Sequence, residues 1–172
     1  MIAPDIPDMP RVQAVLEHPA FVRALEVVRA AEADRRFCRH DLDHLLAVAR
    51  IAWILNLERG LGLDREQVYV ASLLHDIGRA EQYASGTPHD VAGEQLAAAI
   101  LGTVEVDKRF SDDERRSVAA AVGGHRGGDV GEANGLAQVI READTLSRSC
   151  WACAARRDCY WSDERKNLAI RI

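Results

Sequence analysis

Apolar residues recur along this chain at spacings of three and four, and the alternating runs that make strands are missing. After a proline-punctuated start, residues from about 11 to 36 read as one or two helices, broken near His18-Pro19. A second run covers about Asp41 to Arg59 and stops at Gly60-Leu61-Gly62. Asp64 reads as the cap of a helix that starts near Arg65 and ends around Gly78. The stretch from Tyr83 to Pro88 reads as a loop, and the next helix runs from about His89 to Leu101. Ser111 and Glu114 have the spacing of a capping box, opening a helix that reaches about Val122. Gly123, Gly124, Gly127, Gly128 and Gly131 predict a flexible loop around His125, and the last helix covers about Leu136 to Arg148. The pattern predicts one all-α domain without repeats or linkers. Residues 1–37 form an N-terminal helical segment, 38–148 the core, and 149–172 a tail belonging to the same domain.

The informative departures from this pattern are polar. His44 falls in line with Val48, Ile51 and Leu55. His75 sits with Val68 and Ala71, and Asp76 follows it directly. His89 shares a face with Gly93, Leu96 and Ile100; His125 continues the stripe of Val118, Ala121 and Val122. Asp144 continues that of Leu136 and Ile140. Each helix thus points an imidazole or a carboxylate the way its apolar residues point. Burying such groups without partners costs several kcal/mol apiece. A single buried histidine is explained by a hydrogen bond, but five coincident cases need a common partner, and a metal centre supplies one. Imidazole and carboxylate suit Mn, Fe, Ni, Zn or Mg. Adjacent helical residues diverge by about 100°, so His75 and Asp76 serve one ion on equal terms only where the helix is distorted. Otherwise His75 takes one ion and Asp76 reaches across to a second.

Composition narrows the picture. A chain of 172 residues suits one domain with a substantial core, and 48% apolar with 28% charged residues is an ordinary globular balance. Scarce aromatics and abundant alanine favour packed helices. A formal charge of -5 argues against a surface built for long nucleic acids, although local arginines can still take a nucleotide. The opening MIAPDIPDMPR is acidic and proline-rich, and no apolar run is long enough for a bilayer, so a cytoplasmic setting is expected. There thiols stay reduced, and Cys38, Cys150, Cys153 and Cys159 read as buried thiols or metal ligands.

The ordered set His44, His75-Asp76 and Asp144 resembles the HD superfamily of metal-dependent phosphohydrolases. The strings HDLDHLLAVARIA, ASLLHDIGR, HDVAGEQLAAAIL, AAAVGGHR and IREADTLSR carry the resemblance over about residues 38–148. It implies an HD-type helical bundle with a metal site between its central helices. His89 and His125 look like the extra histidines of members that hold two ions, with the HD aspartate bridging them. Hydrolysis of a nucleotide or other small phosphoester by a metal-activated water is the activity implied. The family also contains nucleotide sensors, and a related fold carries a di-iron oxygenase. The GYP segment of cyclic-di-GMP phosphodiesterases is missing here.

Around this ligand set, Arg79 and Arg126 are candidates for a substrate phosphate, against ordinary roles as surface arginines. His40, one turn before His44, is a candidate substrate or supporting residue. Glu94 and Asp90 could orient ligand histidines, and His18 falls outside the pattern as a structural residue. The apolar N-terminal helix could serve a homodimer. Cys38 lies six residues before His44 and Cys150 six after Asp144. If the two helices run antiparallel at the metal, both cysteines lie about 9 Å along the same direction and can converge with Cys153 and Cys159. Small packed thiols beneath Trp151 and Trp161 are the alternative to a second metal site. The Cys150-x2-Cys153-x5-Cys159 spacing matches neither common ferredoxin pattern, which favours zinc over an iron–sulfur cluster.

Overall fold

A computed structural model describes residues 8–127 and 135–170. Its described residues form eight α-helices: α1 Pro10–Glu17, α2 Pro19–Ala31, α3 Leu42–Arg59, α4 Arg65–Leu74, α5 Arg79–Ser85, α6 His89–Thr103, α7 Asp112–Gly124 and α8 Gly135–Leu146. Three short 3-10 turns complete the order, one after α6 and two in the tail at Cys150–Ala152 and Arg156–Asp158. No strand occurs among the described residues, as the helical spacing predicts. None of the described helices is long and apolar enough to cross a membrane.

Local chemistry sets the helix ends. Proline opens α1 and α2, where a missing N–H costs nothing. His18 caps α2 by accepting the Ala20 N–H at Nδ1, and its other ring nitrogen meets Thr103. Asp41 and Asp64 cap α3 and α4 through the amides of His44 and Gln67. The capping box of Ser111 and Glu114 is formed at α7. Gly60 ends α3 in the left-handed region at φ 60°, a conformation that carries no Cβ penalty only in glycine.

Helix α3 is the spine, packed along α4 on one side and α8 on the other. A second pair, α6 and α7, joins it through contacts of α7 with α4 and α8. Leu45, Val48, Leu73, Leu74, Ile100, Val122 and Ile140 fill the interior at 1% exposure or less. Each such side chain stabilises the fold by about 1.5–3 kcal/mol. The N-terminal helices spend their apolar faces on the same core: Val12, Val15, Phe21 and Leu25 are buried within the chain.

Three expectations need correction. Helix α4 stops at Leu74 rather than near Gly78, because bonds from Ile77 N to Leu74 O and from Arg79 N to Asp76 O tighten the chain into a bend. Helix α5 follows at once, so Tyr83, Ala84 and Ser85 are helical and the loop begins at Gly86. Helix α7 continues through Gly123 and Gly124, where a loop was expected, and Gly123 leaves room there for the Glu94 side chain of α6 to pack against it. Gly128 and Gly131 lie outside the described residues.

Candidate metal centre

The bend after α4 sets the geometry of the site. It breaks the 100° divergence of neighbouring helical residues, so His75 and Asp76 face the same interior point. Asp76 is 2% exposed and His75 fully buried. His44 arrives from α3, Asp144 from α8, His89 from the first turn of α6 and His125 from just beyond α7. Asp76 Oδ2 lies 3.2 Å from His75 Nε2 and 3.7 Å from His44 Nε2. Its other oxygen, Oδ1, lies 3.3 Å from His89 Nε2 and 3.9 Å from His125 Nε2. Asp144 Oδ1 closes the first group, 3.2 Å from His44 Nε2 and 3.8 Å from His75 Nε2. Two donor groups result, His44–His75–Asp76–Asp144 and Asp76–His89–His125, with ligand atoms in each within 4.8 Å of one another. Ligands held about 2.1 Å from an ion stand roughly 3–4 Å apart, which is the spacing seen.

Every ring in the centre is wired the same way. His75 Nδ1 and His125 Nδ1 donate to the carbonyls of Ser72 and Val122, each at 2.6 Å. His89 Nδ1 meets Gln82 Oε1 at 2.9 Å, and His40 Nδ1 meets Glu32 Oε1 at 2.6 Å. Ser147 spends its hydroxyl proton on Asp144 O and leaves its oxygen to accept from His44 Nδ1 at 3.2 Å. With Nδ1 engaged by its outer partner, each ring turns Nε2 toward the centre. His75 Nε2, His89 Nε2 and Asp76 Oδ2 are buried without a hydrogen-bond partner. Orphaned acceptors of this kind are costly in an apolar interior, and a divalent cation satisfies all three. The donor set fits such an ion.

Charge agrees with geometry. Burial raises the Asp76 carboxyl, but the His75 and His44 rings and Arg79 overcome it and hold it well below the usual carboxylate range. Asp144 is held low in the same way, by His44, His75 and Arg148 against burial. Burial opposes charge on His75, yet the flanking carboxylates push its pKa up to about 10. Burial and then Arg79 push His89 down to about 4, and burial keeps His125 below its ordinary value. The Asp76–Asp144 side of the centre therefore draws positive charge, and the His89 side stays neutral and ready to ligate.

Above the centre opens a cavity of about 580 Å³. Arg79, Arg126, Arg141 and Arg148 from the core line it, with Arg35 from the segment after α2. Arg156, Arg165 and Lys166 of the tail complete a cationic wall, in which Asp144 is the one carboxylate among the described residues. Arg79 Nε holds Asp76 Oδ1 at 2.7 Å, and Arg126 reaches Asp90 Oδ1 at 3.7 Å. His40 is buried with Nε2 3.8 Å from Asp76 Oδ2, beside the first donor group and outside it. Glu94 packs on Gly123 rather than against a ligand ring. The four cysteines line the same cavity.

Sequence reasoning missed several members of this arrangement. Arg148 donates to Asp144 Oδ1 and His44 Nε2, each at 2.9 Å. Its position four residues after Asp144 on the same helical face was the available signal. Glu32 and Tyr83, which lock His40, carried none. Arg156 lies in the second tail 3-10 turn, and Arg165 and Lys166 come just before Asn167, whose side-chain amide ties the tail to Leu146 O and Arg148 O.

An all-helical bundle with two such donor groups is the architecture of the HD superfamily, and comparison with known proteins agrees. The HD domain family matches residues 41–149, and the chain belongs to it. It is 38% identical over 162 residues to an uncharacterized protein of Clostridium beijerinckii, covering 94% of this chain and 99% of the other. Ribonuclease Y of Oleidesulfovibrio alaskensis is 30% identical over 130 residues, which is 76% of this chain but 22% of that protein. Ribonuclease Y of Lactobacillus helveticus is 31% identical over 106 residues, 17% of its length. The chain thus spans about a fifth of ribonuclease Y. Among solved structures, a predicted HD superfamily hydrolase from an uncultured Thermotogales bacterium superposes with a TM-score of 0.59. It covers 87% of this chain and 83% of its own at 24% identity, a likeness of fold.

Proposed function

We propose that this protein is a metal-dependent phosphohydrolase acting on a nucleotide or other small phosphoester. The observation that carries the reading is the buried Asp76 carboxylate, shared between two histidine groups whose His89, His125 and Asp144 line a cation-rich cavity. His44, His75, Asp76 and Asp144 would hold one divalent ion, and His89 and His125 with Asp76 a second. Mn, Fe, Ni or Mg bound there would supply an activated water near neutral pH and positive charge beside the phosphoryl oxygens.

The chain's own residues supply the rest. Arg79, fixed through Nε to Asp76, and Arg126 at the cavity edge place guanidinium charge where phosphoryl oxygens would lie. Burial, opposed by Glu32, keeps the His40 ring below its ordinary pKa and so neutral, with Nε2 free to hold a proton near the substrate. The relatives named ribonuclease Y support phosphodiester chemistry in this domain type, and the cavity size suits a nucleotide.

The test is metal analysis of the purified protein, followed by phosphate-release and nucleotide screens that include short oligoribonucleotides. The reading expects bound transition metal and turnover of a phosphoester, both abolished in Asp76→Ala. Full hydrolysis by Asp76→Ala would refute it. Oxygen uptake without phosphate release would replace it with the di-iron oxygenase alternative.

A further inference from the structure

We propose that Cys38, Cys150, Cys153 and Cys159 hold an iron–sulfur cluster in the wall of the cavity, separate from the His/Asp centre. The four come from three stretches of chain that the fold gathers together: the segment before α3, the first tail turn and the end of the second. All four line one cavity, and Cys38, Cys150 and Cys153 also line a second one that backs onto it. The three thiols therefore stand in a partition between two openings. Cysteines serving only as small packed residues would be sealed in the core, yet only Cys150 is buried. The others keep access to the cavity.

Spacing decides the occupant. A tetrahedral zinc holds its thiolates at about 2.3 Å, which places the sulfurs roughly 3.8 Å from one another. Among the described residues the donor groups gathered within 4.8 Å are the two His/Asp sets, and the thiols form none. A cube-shaped cluster binds each thiolate to a different iron at a separate corner, so its four sulfurs stand farther apart around a shared volume. Thiols that share a cavity wall without closing on one point fit the larger group.

The surroundings suit its charge. Burial pushes the Cys38 thiol up, Arg148 works against that, and charge on Cys150, Cys153 or Cys159 pushes it up further. Four thiolates at these positions need a cationic group among them, and iron provides it as each thiol gives up its proton. The remaining negative charge faces Arg35, Arg148, Arg156 and Arg165 in the same lining. Arg35 Nε also donates to Cys38 O at 2.8 Å and steadies that corner. Ligation at Cys150, Cys153 and Cys159 would fasten the tail that supplies Arg156, Arg165 and Lys166 to the cavity.

The test is anaerobic purification of the full chain after expression with iron, with acid-labile sulfide measured beside total iron. Sulfide is the deciding quantity, because the His/Asp centre can also bind iron. The expected result is brown protein with visible absorbance, sulfide present, and a paramagnetic signal after reduction. Cys153→Ser should lose the sulfide and the colour while its helical circular dichroism stays unchanged. Asp76→Asn should keep both, which separates this site from the centre below it. A colourless protein without sulfide, zinc at the cysteines, or complete alkylation of all four thiols in the folded anaerobic protein would each overturn the proposal.

Discussion

Replacing Gly78 by alanine tests whether the bend that brings His75 and Asp76 together depends on close backbone contact with α6. A Cβ at Gly78 would lie 2.1 Å from the His89 carbonyl oxygen, 2.4 Å from Gly93 N and 2.8 Å from Gly93 Cα. Carbon and oxygen in contact normally stand about 3.3 Å apart, so α6 must retreat by roughly 1 Å. All three neighbours are backbone atoms, and no side-chain rotation relieves them. Overpacking of this kind costs at the upper end of the usual range, about 3 kcal/mol. For a chain of this size that lowers the melting temperature by about 6–12 °C. His89 rides on the displaced end of α6, so metal affinity should fall most at the Asp76–His89–His125 group. Gly102, on the same helix, is the control, since a Cβ there meets nothing nearer than Arg115 Nη1 at 3.9 Å. Gly102→Ala should raise stability by about 0.5–1 kcal/mol. Thermal melts followed by circular dichroism compare the two. Matching shifts, or a Gly78→Ala variant that melts like the parent, would refute the argument.

Chelating bound metal should lower the melting temperature, since a ligand at a hundred times its Kd stabilises the native state by about 2.7 kcal/mol; unchanged melting after complete chelation would count against the centre. Acid stability should depend on Glu32, whose carboxyl the His40 ring and Tyr83 hydroxyl hold at about 2 against the opposing effect of burial. A depressed carboxyl stabilises the fold above its unfolded pKa and loses that contribution as pH falls through the folded value, here about 3 kcal/mol between roughly pH 4.5 and 2. Glu32→Gln should flatten this dependence in denaturant titrations, and an unchanged slope would remove Glu32 from the account. Ser111→Ala should cost about 1 kcal/mol through loss of the α7 capping box, read as a shift in the urea midpoint.

How much of this was legible in the sequence depended on whether periodicity carried it. His44, His89 and Asp144 each sit within a regular helix, so their place on an apolar stripe reported their direction before any coordinates. His75-Asp76 was legible as a pair but not as a bend. Val68, Ala71 and His75 carry the helical stripe past Leu74, while the bend sets Gly78 against the backbone of α6, a contact that no local window contains. Helix α5 has no buried residue, so it left no apolar stripe to read. The tail was opaque for a related reason. Its 3-10 turns carry no amphipathic period, and its cations acquire a place only once Asn167 ties the segment to the end of α8.

The cationic lining has a kinetic consequence. The molecule carries a net charge of -5, so most of its surface repels anions while the cavity mouth gathers eight arginine and lysine side chains. Opposite potentials on one small body make a funnel: a polyanion is turned away elsewhere and drawn inward at the opening above Asp76. Encounter rates for such a ligand should fall steeply as salt shortens the screening length from about 30 Å at 0.01 M to about 8 Å at 0.15 M. A neutral ligand of the same size would feel no such slope. The same field that speeds a phosphate's arrival also slows its departure, so release of an anionic product is the step that this wall of charge places under strain.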